Sequence, residues 1–402
     1  MRRREFLALA GGALALPRSP AGADPVPSSY WQDVFARMPP ALAALASMPE
    51  HAVQLRCVRI ARGVEGGLRF QTHDHGLSPR RWFSPASVAK LPMALLMAER
   101  LSHHRLDQHG AIRLAAPPAT GEWPADEPLQ ETFGRGLQRT FAVSENVPYN
   151  RWYEFLGVDA IHARLTQLGY PHVRLIARYG SPEPQPNRHT GGGLLLARDG
   201  REVEVRPSTT GTARAFPFGR VLLGRGWQRS DGGIERGPHD FSRANFLPLT
   251  DSLAMLQAFL LPDSVPARRR WRIDGALRMQ LLRAMGLRPR DADDPRYDEG
   301  AYPDGYARWF LVGGGKARFA DGVQVFGKSG MAYGFLSEVA YLVDRGSGAE
   351  FLLGATIHTN ADGIYNDDRY EYDTAGLPFL AAVGHAVLDA ERSRKIRATG
   401  AP

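Results

Sequence analysis

In "HAVQLRCVRIARG" and "GLRFQTHD" apolar and polar positions alternate, with β-branched residues among them and the turn residues of "GVEGG" between, so residues 51–74 predict a hairpin. From Val88 to Leu101 the pattern changes to apolar on nearly every side, which predicts a buried central helix. Upstream, "SYWQDVFARMPPALAALASM" is helical in period and broken by Pro39-Pro40. Residues 120–175 are helical with loops; in "VDAIHARLTQLGY" an apolar face through Leu165 and Leu168 is closed by Gly169. Regularity fails between about 176 and 245, where "LLLARDGREVEV" predicts a hairpin on Asp199-Gly200 and "GRGWQRSDGGIERGPHD" predicts a long loop. Helical period returns in "LTDSLAMLQAFLL" and "GALRMQLLRAMG". Three strands then follow in succession, "GVQVFGKSG", "FLSEVAYLVD" and "AEFLLGATIHTN", before a last amphipathic helix, "LPFLAAVGHAVLDAERSRKI". Strands at both ends with helices between imply an α+β fold. This layout predicts one antiparallel sheet built from about 24–85 and 305–402, with a helical subdomain at about 86–304 set into it.

Composition fits a packed globular chain, with 43% hydrophobic and 23% charged residues. Residues 1–23 join a basic head, an apolar run from Phe6 to Leu16 and a small-residue Ala21-Gly22-Ala23 site, which is the pattern of an export signal. Arg3-Arg4-Glu5-Phe6-Leu7 fits a twin-arginine address, so a periplasmic or secreted location is expected, with no stable membrane anchor. The leader carries four arginines and one glutamate, and its removal takes the net charge from +8 to +5. The remaining arginines are interspersed with acids, which argues against nucleic acid as a partner. Cys57 is the single cysteine, leaving no intramolecular disulfide and a buried filler as its expected role.

Of 50 Lys+Arg only four are lysines, Lys90, Lys316, Lys328 and Lys395. Lysine differs from arginine in that a buried ammonium can lose its proton and act as a base. Ser87-Val88-Ala89-Lys90 sets a hydroxyl and an amine three residues apart at the start of the apolar helix, on one face of it. That pairing suits covalent acyl transfer, since the amine can take the serine proton and the helix N-terminus favours developing negative charge. Ser144-Glu145-Asn146 supplies a second hydroxyl and an amide, and Lys328-Ser329-Gly330 ends a strand. Singly, each has a plain structural reading: an N-cap serine with a surface lysine, a capping turn, a polar strand end.

Together and in this order, the three resemble the S-x-x-K, S-D-N and K-T-G signature of the class A β-lactamases and penicillin-binding serine hydrolases. "FSPASVAKLPMALLM" is also similar to the way that superfamily enters its central helix. The resemblance implies Ser87 as the acylated nucleophile, Lys90 as its base, and Ser144 as the proton relay toward the leaving nitrogen. It further implies Asn146 on a substrate amide, Lys328 and Ser329 on a substrate carboxylate, Gly330 leaving room for substrate, and the N–H groups of Ser87 and Met331 as an oxyanion hole. Glu145 and Ser329 replace the usual Asp and Thr. Glu183, in "EPQPN", matches the glutamate that activates the deacylating water, with Pro186 where that loop has leucine, and the stretch near 190–245 that follows is inserted relative to the compact enzymes the chain resembles. The expected activity is hydrolysis of an amide or ester such as a β-lactam, with a small-molecule substrate and no cofactor. Alternatives are a D-alanyl-D-alanine carboxypeptidase or esterase on the same scaffold, and a non-catalytic envelope binding protein. The acidic run Asn360 to Asp373 lacks calcium-loop spacing and is expected to be built on Asx turns. His73 and His75 share one side of a strand without a third ligand, so no metal is expected.

Overall fold

The computed structural model describes residues 29–63, 67–180 and 188–399. The export signal and Glu183 lie outside them. A five-stranded antiparallel sheet runs in the order Val323–Ala332, Phe335–Asp344, Ala349–His358, Gln54–Arg62, Leu68–His75. It therefore joins the two ends of the chain. Alternation along the strands gives the sheet two apolar faces. Leu55, Cys57, Leu353 and Ala355 pack against the terminal helices Ser29–Phe35 and Leu377–Thr399, while Val58, Ile60, Val339 and Leu352 face the helical region. Cys57 is fully buried, and burial pushes its thiol up to about 12, which leaves it a filler.

The central helix spans Lys90–His103 and is entered through a 3₁₀ turn, Ala86–Ala89. Its residues from Lys90 to Ala98 are all buried, as its lack of a polar side requires. Helices Phe133–Ala142, Val147–Leu156, Val158–Gln167, Leu249–Leu260 and Gly275–Met285 surround it. Pro39 stands immediately before the second helix, Pro40–Leu45, and separates it from the first.

One reading needs correction. The stretch 224–240 is not a plain loop: Gly226–Gln228 pairs with Ile234–Arg236 and, in parallel, with Ile364–Tyr365. Strands of three residues carry too short an alternation to be read, and their partner lies more than a hundred residues away. The Asp199-Gly200 hairpin does form, between Gly193–Leu196 and Glu202–Arg206. The acidic run 360–373 turns on its own side chains: Asn360 and Asp362 carboxamide and carboxylate oxygens accept from the N–H groups of Gly363 and Ile364 at 3.0 and 2.8 Å. His73 stacks on Tyr30 with ring centroids 4.0 Å apart, and His75 Nε2 meets the Ala46 carbonyl at 3.0 Å, so both imidazoles are used in packing the first helices onto the sheet. Among the described residues no three His, Cys, Asp or Glu are grouped as metal ligands, and no helix is long and apolar enough to cross a membrane.

Candidate active site

Period-2 geometry on the edge strand Val323–Ala332 turns Lys328 and Gly330 toward the helical region, where the 3₁₀ turn carries Ser87. A Cβ on Gly330 would stand 2.6 Å from both the Ser87 nitrogen and the Pro85 carbonyl oxygen. Only glycine allows this approach. On the side a Cβ would take, the turn carrying Ser87 packs against it, and Gly330 also borders the cleft. Ala86, immediately before Ser87, holds a φ of 41°, and Ser144 a φ of 66°. Left-handed backbone at two non-glycine residues is costly, and here it flanks the two hydroxyls of the site. The Tyr179 hydroxyl donates to the Ala86 carbonyl and pins that turn.

Lys90 and Lys328 are both wholly buried, whereas Lys316 is exposed. The two buried amines meet at one hydroxyl: Lys328 Nζ is 2.8 Å and Lys90 Nζ 3.4 Å from Ser144 Oγ. Lys90 also donates to Asn146 Oδ1 at 2.7 Å and to the Ser144 carbonyl. Loss of water pulls the Lys90 ammonium down to about 7, against a smaller opposing pull from the Glu122 and Glu145 carboxylates. Lys328 lies well below the usual amine range, first from burial and then from the charges of Lys90 and Arg308. Ser87 is partly exposed in the cleft, and within the described residues its hydroxyl makes no hydrogen bond to Lys90. The base thus reaches Ser144 and Asn146 in this state, with Ser87 one turn of helix away.

Several groups behind these side chains were not singled out from the sequence. Glu122 Oε2 accepts from Asn146 Nδ2 at 2.7 Å. Because a carboxylate can only accept and an ammonium only donate, Glu122 and Lys90 together fix which end of the Asn146 amide faces which. Nothing in "TGEWPADEP" marks this glutamate, since its role comes from the fold. Glu145 turns away from the cleft, accepting from Arg139 Nε and from the Tyr297 hydroxyl, both at 2.7 Å. The extra methylene relative to aspartate is what reaches them. Glu338 pairs in register with Ser329 and accepts from the Trp309 and Phe310 N–H groups at 2.9 and 2.8 Å. Burial pushes its carboxyl up to about 7. A glutamate amid the apolar residues of "FLSEVAYLVD" was the available signal. The Ser329 hydroxyl donates to the Ala307 carbonyl at 2.8 Å.

These groups border a cleft of about 770 Å³, lined by Ser87, Ser144, Asn146, Ser329, Gly330 and Met331 on one side. The opposite wall comes from the inserted segment and includes Trp227, Glu235, His239 and Phe241. Asn245 clamps that segment in place: its side-chain oxygen accepts from Ile176 and Ala177 N–H at 2.8 and 2.9 Å, and its carbonyl from Trp82 Nε1 at 3.1 Å.

The fold thus brings the three sequence motifs to one cleft: a serine and a lysine on one helical turn, a serine between two buried lysines, and a glycine-edged strand. Residues 69–211 match the family described as the beta-lactamase enzyme family, a span that holds Ser87, Lys90, Ser144 and Asn146 and stops short of Lys328. PBP-A has the same fold, with 12% identity and a TM-score of 0.50 over 91% of this chain and 97% of its own. A beta lactamase from Burkholderia vietnamiensis aligns at 12% identity over 90% and 98% of the two chains, with a TM-score of 0.49. A beta-lactamase from Sphaerobacter thermophilus aligns at 14% identity over 90% and 97%, with a TM-score of 0.47. No curated protein matches the chain at the level of sequence. The α+β fold is thus the one seen in PBP-A, and the family match over residues 69–211 agrees with the resemblance that the sequence motifs carry to the β-lactamases and penicillin-binding serine hydrolases.

Proposed function

We propose that the protein is an exported serine hydrolase that forms a covalent acyl-enzyme on Ser87 and hydrolyses an amide or ester bond, with a β-lactam as the best-fitting substrate. The observation that carries this reading is the Ser144 hydroxyl set between two fully buried lysines, 2.8 Å from one and 3.4 Å from the other. With its amine drawn down to about 7, Lys90 is half neutral near neutral pH and can accept the Ser87 proton. Ser87 Oγ then attacks the carbonyl carbon, and the N–H groups of Ser87 and Met331 receive the developing oxyanion. Collapse of the tetrahedral species breaks the bond to the leaving nitrogen, which takes a proton from Ser144. Ser144 is recharged through Lys328 and Lys90. An anionic substituent beside Lys328 and Ser329 favours the protonated amine there and holds the substrate end. Asn146 positions the substrate amide, and Glu183 activates the water that releases the acyl group.

Acylation alone would also serve a carboxypeptidase, an esterase or a binding protein, so the test follows both steps. Labelling with a fluorescent penicillin and timing the loss of label separates rapid turnover from a persistent acyl-enzyme and from no reaction. Turnover of a chromogenic cephalosporin is expected to fall at least about a thousandfold in Ser87→Ala. In Glu183→Ala the label should persist. Turnover in Ser87→Ala equal to wild type eliminates the mechanism.

A further inference from the structure

Along the edge strand the proposed contacts run in order: substrate carboxylate at Lys328 and Ser329, carbonyl at Met331. Whatever the acyl portion carries therefore lies beside Ala332 and Tyr333, where the strand meets the inserted segment. That end of the cleft is aromatic. Tyr333 is held at a φ of 55°, its ring 5.6 Å from Trp227 and 5.5 Å from Phe241. Phe241 stacks on Trp82 at 4.8 Å and meets Tyr365 edge-on at 4.9 Å, and Trp227 stacks on His239 at 3.8 Å. The rings are fixed by backbone pairing, Gly226–Gln228 to Ile364–Tyr365 and His239–Asp240 to Leu222–Leu223. The segment that carries these rings also brings two carboxylates, Glu235 and Asp240, into the cleft lining. Asp240 is engaged by Arg220 and the Ser242 N–H, both at 2.9 Å. Among the described residues the Glu235 carboxylate has no hydrogen bond and no close ion pair, its one cationic neighbour, Arg229, being bonded to Asp231, and it is exposed to the cleft. Arg178, which also lines the cleft, is committed to Glu154 and the His189 carbonyl.

We infer that the inserted segment adds an acyl-side subsite for an aromatic group carrying a positive charge, recognised by the Trp227 and Tyr333 rings, which the buried Phe241 backs, and by the Glu235 carboxylate. This rests on the acyl transfer proposed above. A cation beside aromatic faces and an unpaired carboxylate gains from both, and an anion there loses. Three penicillins with one nucleus test it, bearing a phenylglycyl ammonium, a neutral phenylacetyl or a carboxylated phenylacetyl group. Acylation of Ser87 is expected to be fastest for the ammonium and slowest for the carboxylate, about tenfold apart. In Glu235→Gln, an exposed substitution whose fold is checked by thermal melting, the spread narrows to about twofold. In Trp227→Ala the aromatic compounds lose their advantage over an acetyl congener. Equal wild-type rates, or a spread unchanged in Glu235→Gln, overturn the subsite and leave acyl transfer standing. Failure of all three to acylate the wild type overturns both.

Discussion

The two walls of the cleft are built in contrasting ways. Lys328 stands on a long sheet and Lys90 at the head of a helix buried as far as Ala98, with Ser87 on its entry turn and Ser144 in the connection between two helices, so that an amine can be stripped of water and still be fixed by several partners. The facing wall uses strands of two or three residues, stacked rings and ion pairs such as Arg220–Asp240, whose side chains are 72% and 42% exposed. The first kind of wall shifts proton affinities by several units. The second shifts them less, drawing the Asp240 carboxylate down through its contacts with Ser242 and Arg220, and serves mainly to shape a surface, which suits recognition better than proton transfer.

Substitutions in the two walls should separate accordingly. The largest effect is expected for Lys90→Arg, which keeps the charge and removes the neutral form; kcat/KM for a chromogenic cephalosporin should fall at least about a hundredfold. Gly330→Ala forces the strand away from Ser87 and should cost on the order of a hundredfold in kcat/KM with the fold intact, measured beside a thermal melt. Glu122→Gln removes a carboxylate that favours the charged form of Lys90. In the wild type, kcat/KM should rise with pH through about 7 as Lys90 loses its proton, and in the variant this limb should move to lower pH, because the amine gives up its proton more readily. A limb that stays in place would remove Glu122 from the account. Smallest is Arg220→Ala, in the facing wall, where an exposed ion pair should change stability by no more than about 0.5 kcal/mol in denaturant unfolding.

Much of the first wall was legible because its signals are strong and local. The apolar run after Ser87, the scarcity of lysine and the alternating terminal strands each point to one element, and the sheet joins the chain ends as expected. The central helix begins at Lys90 after a 3₁₀ turn, later than its apolar pattern does, because the tight entry turn is set by Ala86 and by contact with Gly330. Glu122 and the role of Glu145 were hidden, since a carboxylate in a loop gains meaning only from what folds against it. In the second wall, strand pairing between Gly226–Gln228 and Ile364–Tyr365 has no sequence period to reveal it.

The most direct test is the mass of the intact protein and of its peptides within seconds of mixing with a penicillin. One equivalent of penicillin should be added to the peptide that contains Ser87, and none in Ser87→Ala or at alkaline-inactivated substrate. No adduct on the wild type together with no consumption of the penicillin, or an adduct on any other residue, contradicts the account.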